Sequence, residues 1–89
     1  MDVSNVLQER GNRYGPFKDH AEITQGIKRV MHESGGWSAL TDSQREALEM
    51  IAHKIARMLN GDPTYLDNAV DIVGYAQLML DDMQDAAKD

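Results

Sequence analysis

The stretch TDSQREALEMIAHKIARMLN, residues 41–60, decides the fold. Thr41 is followed three residues later by Gln44, so its hydroxyl can accept from a free backbone N–H while the glutamine side chain reaches back, a capping box that starts a helix. At about 100° per residue, Leu48, Ile51, Ala52, Ile55, Met58 and Leu59 fall on one stripe, the expected core face. Glu46, Glu49, His53, Arg57 and Asn60 line the opposite side. Asn60-Gly61-Asp62-Pro63 then stops the helix, since glycine frees the backbone and proline lacks an N–H.

The same reading extends in both directions. Downstream, Thr64 stands as an N-cap with Asp67 three residues on, and a helix over 64–86 carries Tyr65, Ala69, Ile72, Val73, Ala76, Met79, Leu80 and Met83 on its expected core face. Its other side mixes Asp67, Asp71, Gly74 and Leu78, with Tyr75 at the edge, a composition suited to contact with another helix. Upstream, Ile23, Ile27, Val30 and Met31 recur at helical spacing, giving a helix within 17–34 that ends at Ser34-Gly35-Gly36. Trp37 and Leu40 occupy the loop that follows. Residues 1–16 read as an N-terminal arm with a short helix from about Val3 to Arg10, broken by Gly11-Asn12 and Gly15-Pro16. Nothing alternates with strand period. The expected fold is all-α, a small antiparallel bundle of three principal helices plus the short N-terminal one, in a single domain over 1–89. A dimer through the second face of the last helix is expected: Glu46, Glu49 and Asp71 point away from the stripes that pack within one chain, and Gly74 and Leu78 permit a second copy to approach there.

Composition narrows the function classes. With 89 residues the chain builds one core. It has no cysteine, which excludes disulfides and thiolate chemistry and fits a reducing compartment. No eighteen-residue apolar run and no signal-like N-terminus occur, so a cytoplasmic location off the membrane is expected. The net charge of -6 disfavours direct binding to a nucleic-acid backbone. Asp81, Asp82, Asp85 and Asp89 near the end face only Lys88, which reads as a solvated helix end and would also suit a basic protein partner.

Glu46 and Glu49, one turn apart, could share a divalent ion, although such pairs usually mark a solvated face. His53, a turn further on, would be a fourth ligand or a general base if it is not simply exposed. The loop with Arg10, Arg13 and Tyr14 between glycines either closes over an anion or, as the favoured reading, anchors the arm through Tyr14, Pro16 and Phe17.

Several motifs resemble a family of small phage and prophage proteins of unknown function: Glu9-Arg10-Gly11-Asn12-Arg13-Tyr14-Gly15, Lys54-Ile55-Ala56-Arg57, and Gly61-Asp62-Pro63 leading to Asp71-Ile72-Val73-Gly74-Tyr75. That resemblance implies a phage source and a bacterial cytoplasm. The last two helices are also similar to the all-helical nucleotide pyrophosphohydrolases of the MazG type, which carry two carboxylates spaced i, i+3 on one helix and an acid pair ending in Asp on the next. Glu46 and Glu49 match the first pair and Asp71 the end of the second. Asn68 replaces the acid expected before Asp71, leaving Asp67 as the nearest carboxylate, and Arg45 replaces a leading acid of the first motif. The resemblance implies catalytic Glu46, Glu49 and Asp71, with magnesium held by Glu46, Glu49, Asp67 and Asp71. Lys54, Arg57 and Arg13 would contact a nucleoside triphosphate cleaved between its alpha and beta phosphates. The departures at Arg45 and Asn68 put turnover in doubt, and a catalytically degenerate relative is the same reading without it. From a different class, the alternative is a non-enzymatic acidic helical module that binds a host or phage protein.

Overall fold

The structure, a computed structural model, describes residues 2–88 and contains four α-helices and no strand among them. Helix α1 spans Val3–Tyr14, α2 Phe17–Glu33, α3 Asp42–Asn60 and α4 Leu66–Ala87, with a 3-10 turn at Trp37–Ala39 between α2 and α3. The all-α expectation holds.

The local signals explain most of the boundaries. Both halves of the capping box at the start of α3 form, with Gln44 N–H donating to Thr41 Oγ1 and Thr41 N–H to Gln44 Oε1. Two boundaries differ from the sequence reading. Helix α1 continues through Gly11 to Tyr14, since one internal glycine costs only about 1 kcal/mol and the Glu9–Arg13 ion pair at 2.8 Å spans the same turn. Thr64 does not cap α4. The Asp62 carboxylate accepts from both its N–H and its hydroxyl, forming a tight turn that delays the helix to Leu66.

Helix α3 packs against α2 on one flank and α4 on the other, while α2 and α4 hardly touch. The three form a layer with α3 in the middle, and α1 lies against α2 and α3. The radius of gyration is 15.3 Å, against about 12 Å for a compact chain of this length.

The expected core faces are corrected by this arrangement. The buried apolar residues are Ala47, Ala52 and Ala56, small side chains that let α3 approach neighbours on two sides. Of the other residues assigned to the core, Leu59, Val73 and Val30 are each more than two-thirds exposed, and Ile55, Leu80, Met83 and Ala69 are exposed too. Ile27, Met31, Leu48, Ile51, Ile72 and Met79 are half-buried. The apolar stripes therefore exist, but one chain does not cover them. Polar groups take the sheltered positions instead: His20, Thr24, Lys54 and Asn68 are all buried.

Candidate functional site

Polar side chains of α3 meet the neighbouring helices in three clusters. In the first, the Glu49 carboxylate receives His32 Nε2 at 3.2 Å and Lys28 Nζ at 3.9 Å, both from α2. In the second, Lys54 Nζ lies 2.8 Å from Asp71 Oδ2 on α4, with the lysine nearly enclosed and the aspartate partly open to water. The third joins α2 to α3: His20 Nε2 lies 3.3 Å from His53 Nδ1 and 3.3 Å from Thr24 Oγ1, with the imidazole rings edge to face.

Burial drives the His53 pKa from its ordinary 6.5 to about 4, helped by the positive charges of Arg57, His20, Lys54 and Lys28. His20 is lowered by burial and by Arg57. Both rings are neutral at pH 7. A depressed histidine pKa means that the folded chain binds fewer protons than the unfolded chain between the two values, so stability falls as pH drops from 6.5 toward 4 and is unaffected above 7. Thermal unfolding is expected to show a loss of roughly 1 to 2 kcal/mol from pH 7 to pH 4.5, less than full linkage because the His53 ring keeps some water contact. In His53→Asn that acid-side loss is expected to shrink; an unchanged profile would refute the assignment.

The arm is fastened at the corner where α3 turns into α4. Asn60 Nδ2 donates to the carbonyls of Tyr14 and Pro16, both at 2.9 Å, and Asp62 N–H donates to Arg13 C=O at 2.7 Å. The Arg57 guanidinium covers the Tyr14 ring at 4.0 Å, and Arg13 hydrogen-bonds the Tyr65 hydroxyl at 3.2 Å. Tyr65 in turn donates to Asp67 at 2.9 Å, which holds its phenol pKa above the usual range. The motifs scattered through the sequence thus meet: Glu9 through Gly15, Arg57 and Gly61-Asp62 build one corner.

The residues expected to hold a metal are distributed over these contacts. Glu46 is exposed, Glu49 is bound to α2, Asp71 to Lys54, and Asp67 to Tyr65. Among the described residues no group of three or more His, Asp or Glu side chains is arranged to hold a metal ion. Asn68, in the place of the second acid, is 1% exposed. Of the expected substrate contacts, Arg13 and Arg57 serve the arm and Lys54 the Asp71 pair.

Sequence reasoning missed His20, Thr24 and Lys28. His20 and Thr24 stand at i, i+4 beside the apolar Ile23 and Ile27, a signal that a polar pair enters the packed side of α2. Their meeting with His53 was not legible from one helix alone.

An all-α layer with a polar network on α3 and large apolar residues left open defines a class of helical protein, not an activity. The chain belongs to the family described as a domain of unknown function, DUF6378, which it matches over residues 3–83. No curated protein matches it. No solved structure matches it either.

Proposed function

We propose that this chain works as a self-associating helical module, with a second copy covering the apolar side of α3 and α4. The observation that carries the reading is the exposure of Ile55 and Leu59 on α3 together with Leu66, Val70, Val73, Leu78 and Leu80 on α4. A helix apolar on most of its circumference belongs inside an assembly, and two copies of one such face are self-complementary about a two-fold axis. The acidic end of α4, at Asp81, Asp82 and Asp85, is a separate exposed surface that favours a basic protein partner. Among the described residues no helix is long and apolar enough to cross a membrane, and the absence of cysteine supports a cytoplasmic setting.

Sedimentation equilibrium is expected to show a dimer at micromolar concentration. Val73→Asp should weaken it by more than about 100-fold, because a carboxylate buried without a partner costs several kcal/mol. A wild-type chain that stays monomeric at about 100 μM would sink the proposal.

The second reading is a MazG-like, magnesium-dependent nucleoside triphosphate pyrophosphohydrolase of phage type, or a catalytically degenerate relative. Its support is the i, i+3 spacing of Glu46 and Glu49 and the half-sheltered Glu49 and Asp71 carboxylates beside Lys28 and Lys54. Glu46, Glu49, Asp67 and Asp71 form no shared cluster among the described residues of one chain, so a magnesium site would need a second copy to complete it. Calorimetric titration of the wild type with magnesium, then with a nonhydrolysable nucleoside triphosphate, checks it. Saturable heat lost in Glu46→Gln supports it; no heat, with unchanged thermal stability at millimolar magnesium, ends it.

A further inference from the structure

Between α1, the start of α2 and α3 lies a cleft of about 560 Å³, within the range of small-molecule sites. Arg10, Arg57, His20, His53 and Tyr14 are among its polar residues, and Leu7 and Phe17 among its apolar ones. Among the described residues no acidic side chain lines it, although the chain as a whole carries a charge of -6. Arg10 makes no ion pair or side-chain hydrogen bond among the described residues, and Arg57 lies over the Tyr14 ring with no carboxylate within salt-bridge distance.

The two histidines add an uncommitted donor. Neutral rings carry two N–H groups between them, and the 3.3 Å contact of His20 Nε2 with His53 Nδ1 consumes one. If His20 donates, the other N–H is on His53 Nε2; if His53 donates, it is on His20 Nδ1. Neither nitrogen has a partner among the described residues, and His20 Nδ1 is buried in a residue only 5% exposed. Because His20 Nδ1 is closed off from solvent, the donor open to the cleft is His53 Nε2–H, present when His20 donates to His53. Phe17, 79% exposed beside the His20 ring, offers a flat apolar surface next to these donors.

We propose that this cleft binds an aromatic phosphate monoester, its phosphate held by Arg10, Arg57 and the free imidazole N–H, its ring against Phe17 and Leu7. Two guanidiniums and one N–H match a dianion with three terminal oxygens. His53 and Arg57 lie about 200° around α3 from Ile55 and Leu59, at 100° per residue. The cleft therefore stays open when the apolar side is covered, and its test does not depend on self-association.

Phenyl phosphate, inorganic phosphate and phenol are titrated separately into the wild-type chain while backbone and imidazole NMR shifts are followed. Phenyl phosphate is expected to saturate below about 1 mM with shifts at Gly11, Gly15, His20 and His53, and each half-ligand to bind at least about tenfold more weakly. Arg10→Ala, which breaks no ion pair or side-chain hydrogen bond among the described residues, should weaken phenyl phosphate by about tenfold or more, one charge-assisted hydrogen bond. Phe17→Ala should weaken phenyl phosphate several-fold while leaving inorganic phosphate unchanged. Phenyl phosphate no tighter than inorganic phosphate, or unaffected by Arg10→Ala, would overturn the proposal.

Discussion

Gly61→Ala is expected to destabilise the protein by about 4 to 6 kcal/mol and to free helix α1 from the rest of the chain. A Cβ at Gly61 would stand 2.1 Å from the Arg13 carbonyl oxygen and 2.4 Å from Tyr14 Cα. Both are backbone atoms, so no side-chain rotation relieves the overlap. The two chain segments must separate, breaking the 2.7 Å bond from Asp62 N–H to Arg13 C=O and the two bonds from Asn60. Overpacking alone costs about 1–3 kcal/mol, and the lost hydrogen bonds add about 1 kcal/mol each. Gly15→Ala should be at least as damaging. Its Cβ would lie 2.0 Å from Asn60 C=O, and its φ of 78° is one that alanine adopts only with strain. Gly11→Ala is the control: it is helical with open space around it, and should be neutral or stabilising by up to about 1 kcal/mol. Thermal unfolding with amide exchange across residues 3–14 checks the set. Gly61→Ala behaving like Gly11→Ala would disprove the close approach.

Removing the two ends of the Lys54–Asp71 pair is expected to have unequal effects. Lys54 is 8% exposed, whereas the Asp71 side chain is 43% exposed. Asp71→Ala leaves an ammonium enclosed without its carboxylate, at a cost of about 3 kcal/mol. Lys54→Met leaves a carboxylate that water can reach and puts an apolar side chain of similar length between the helices, so its cost should stay below about 1.5 kcal/mol. The double variant Lys54→Met/Asp71→Leu is expected to recover most of the loss, since no charge is then stranded. Chemical denaturation of all four chains gives the coupling. Equal single costs, or an additive double variant, would mean that the pair contributes little. This asymmetry also bears on the metal question: loss of ligand binding in an Asp71 variant would mix metal ligation with a weakened α3–α4 contact, which is why exposed Glu46 is the better probe.

The helices themselves were legible from sequence because their causes are local. The Thr41–Gln44 capping box, the Asn60-Gly61 stop and the apolar spacing along residues 42–60 act within a turn or two of chain. Where the reading erred locally, a second local bond competed, as when Asp62 captured Thr64. The candidate site was less legible. Glu46, Glu49, Asp67 and Asp71 could be placed on their helices, but their partners Lys28, His32, Lys54 and Tyr65 depend on which flank each helix turns to its neighbour.

The sequence by itself determined an all-α chain with a distinctive arm and two amphipathic helices, since helix caps, breakers and periodicity are short-range effects. Only the tertiary structure decided that alanines and polar groups occupy the sheltered flanks of α3 while Leu59 and Val73 remain open. Periodicity reveals that a stripe is apolar but not what covers it; that depends on the distance between neighbouring helices, which small Ala47, Ala52 and Ala56 shorten. It also decided that His20 meets His53 and that Gly15 meets Asn60, contacts between residues 33 and 45 positions apart that no local signal encodes.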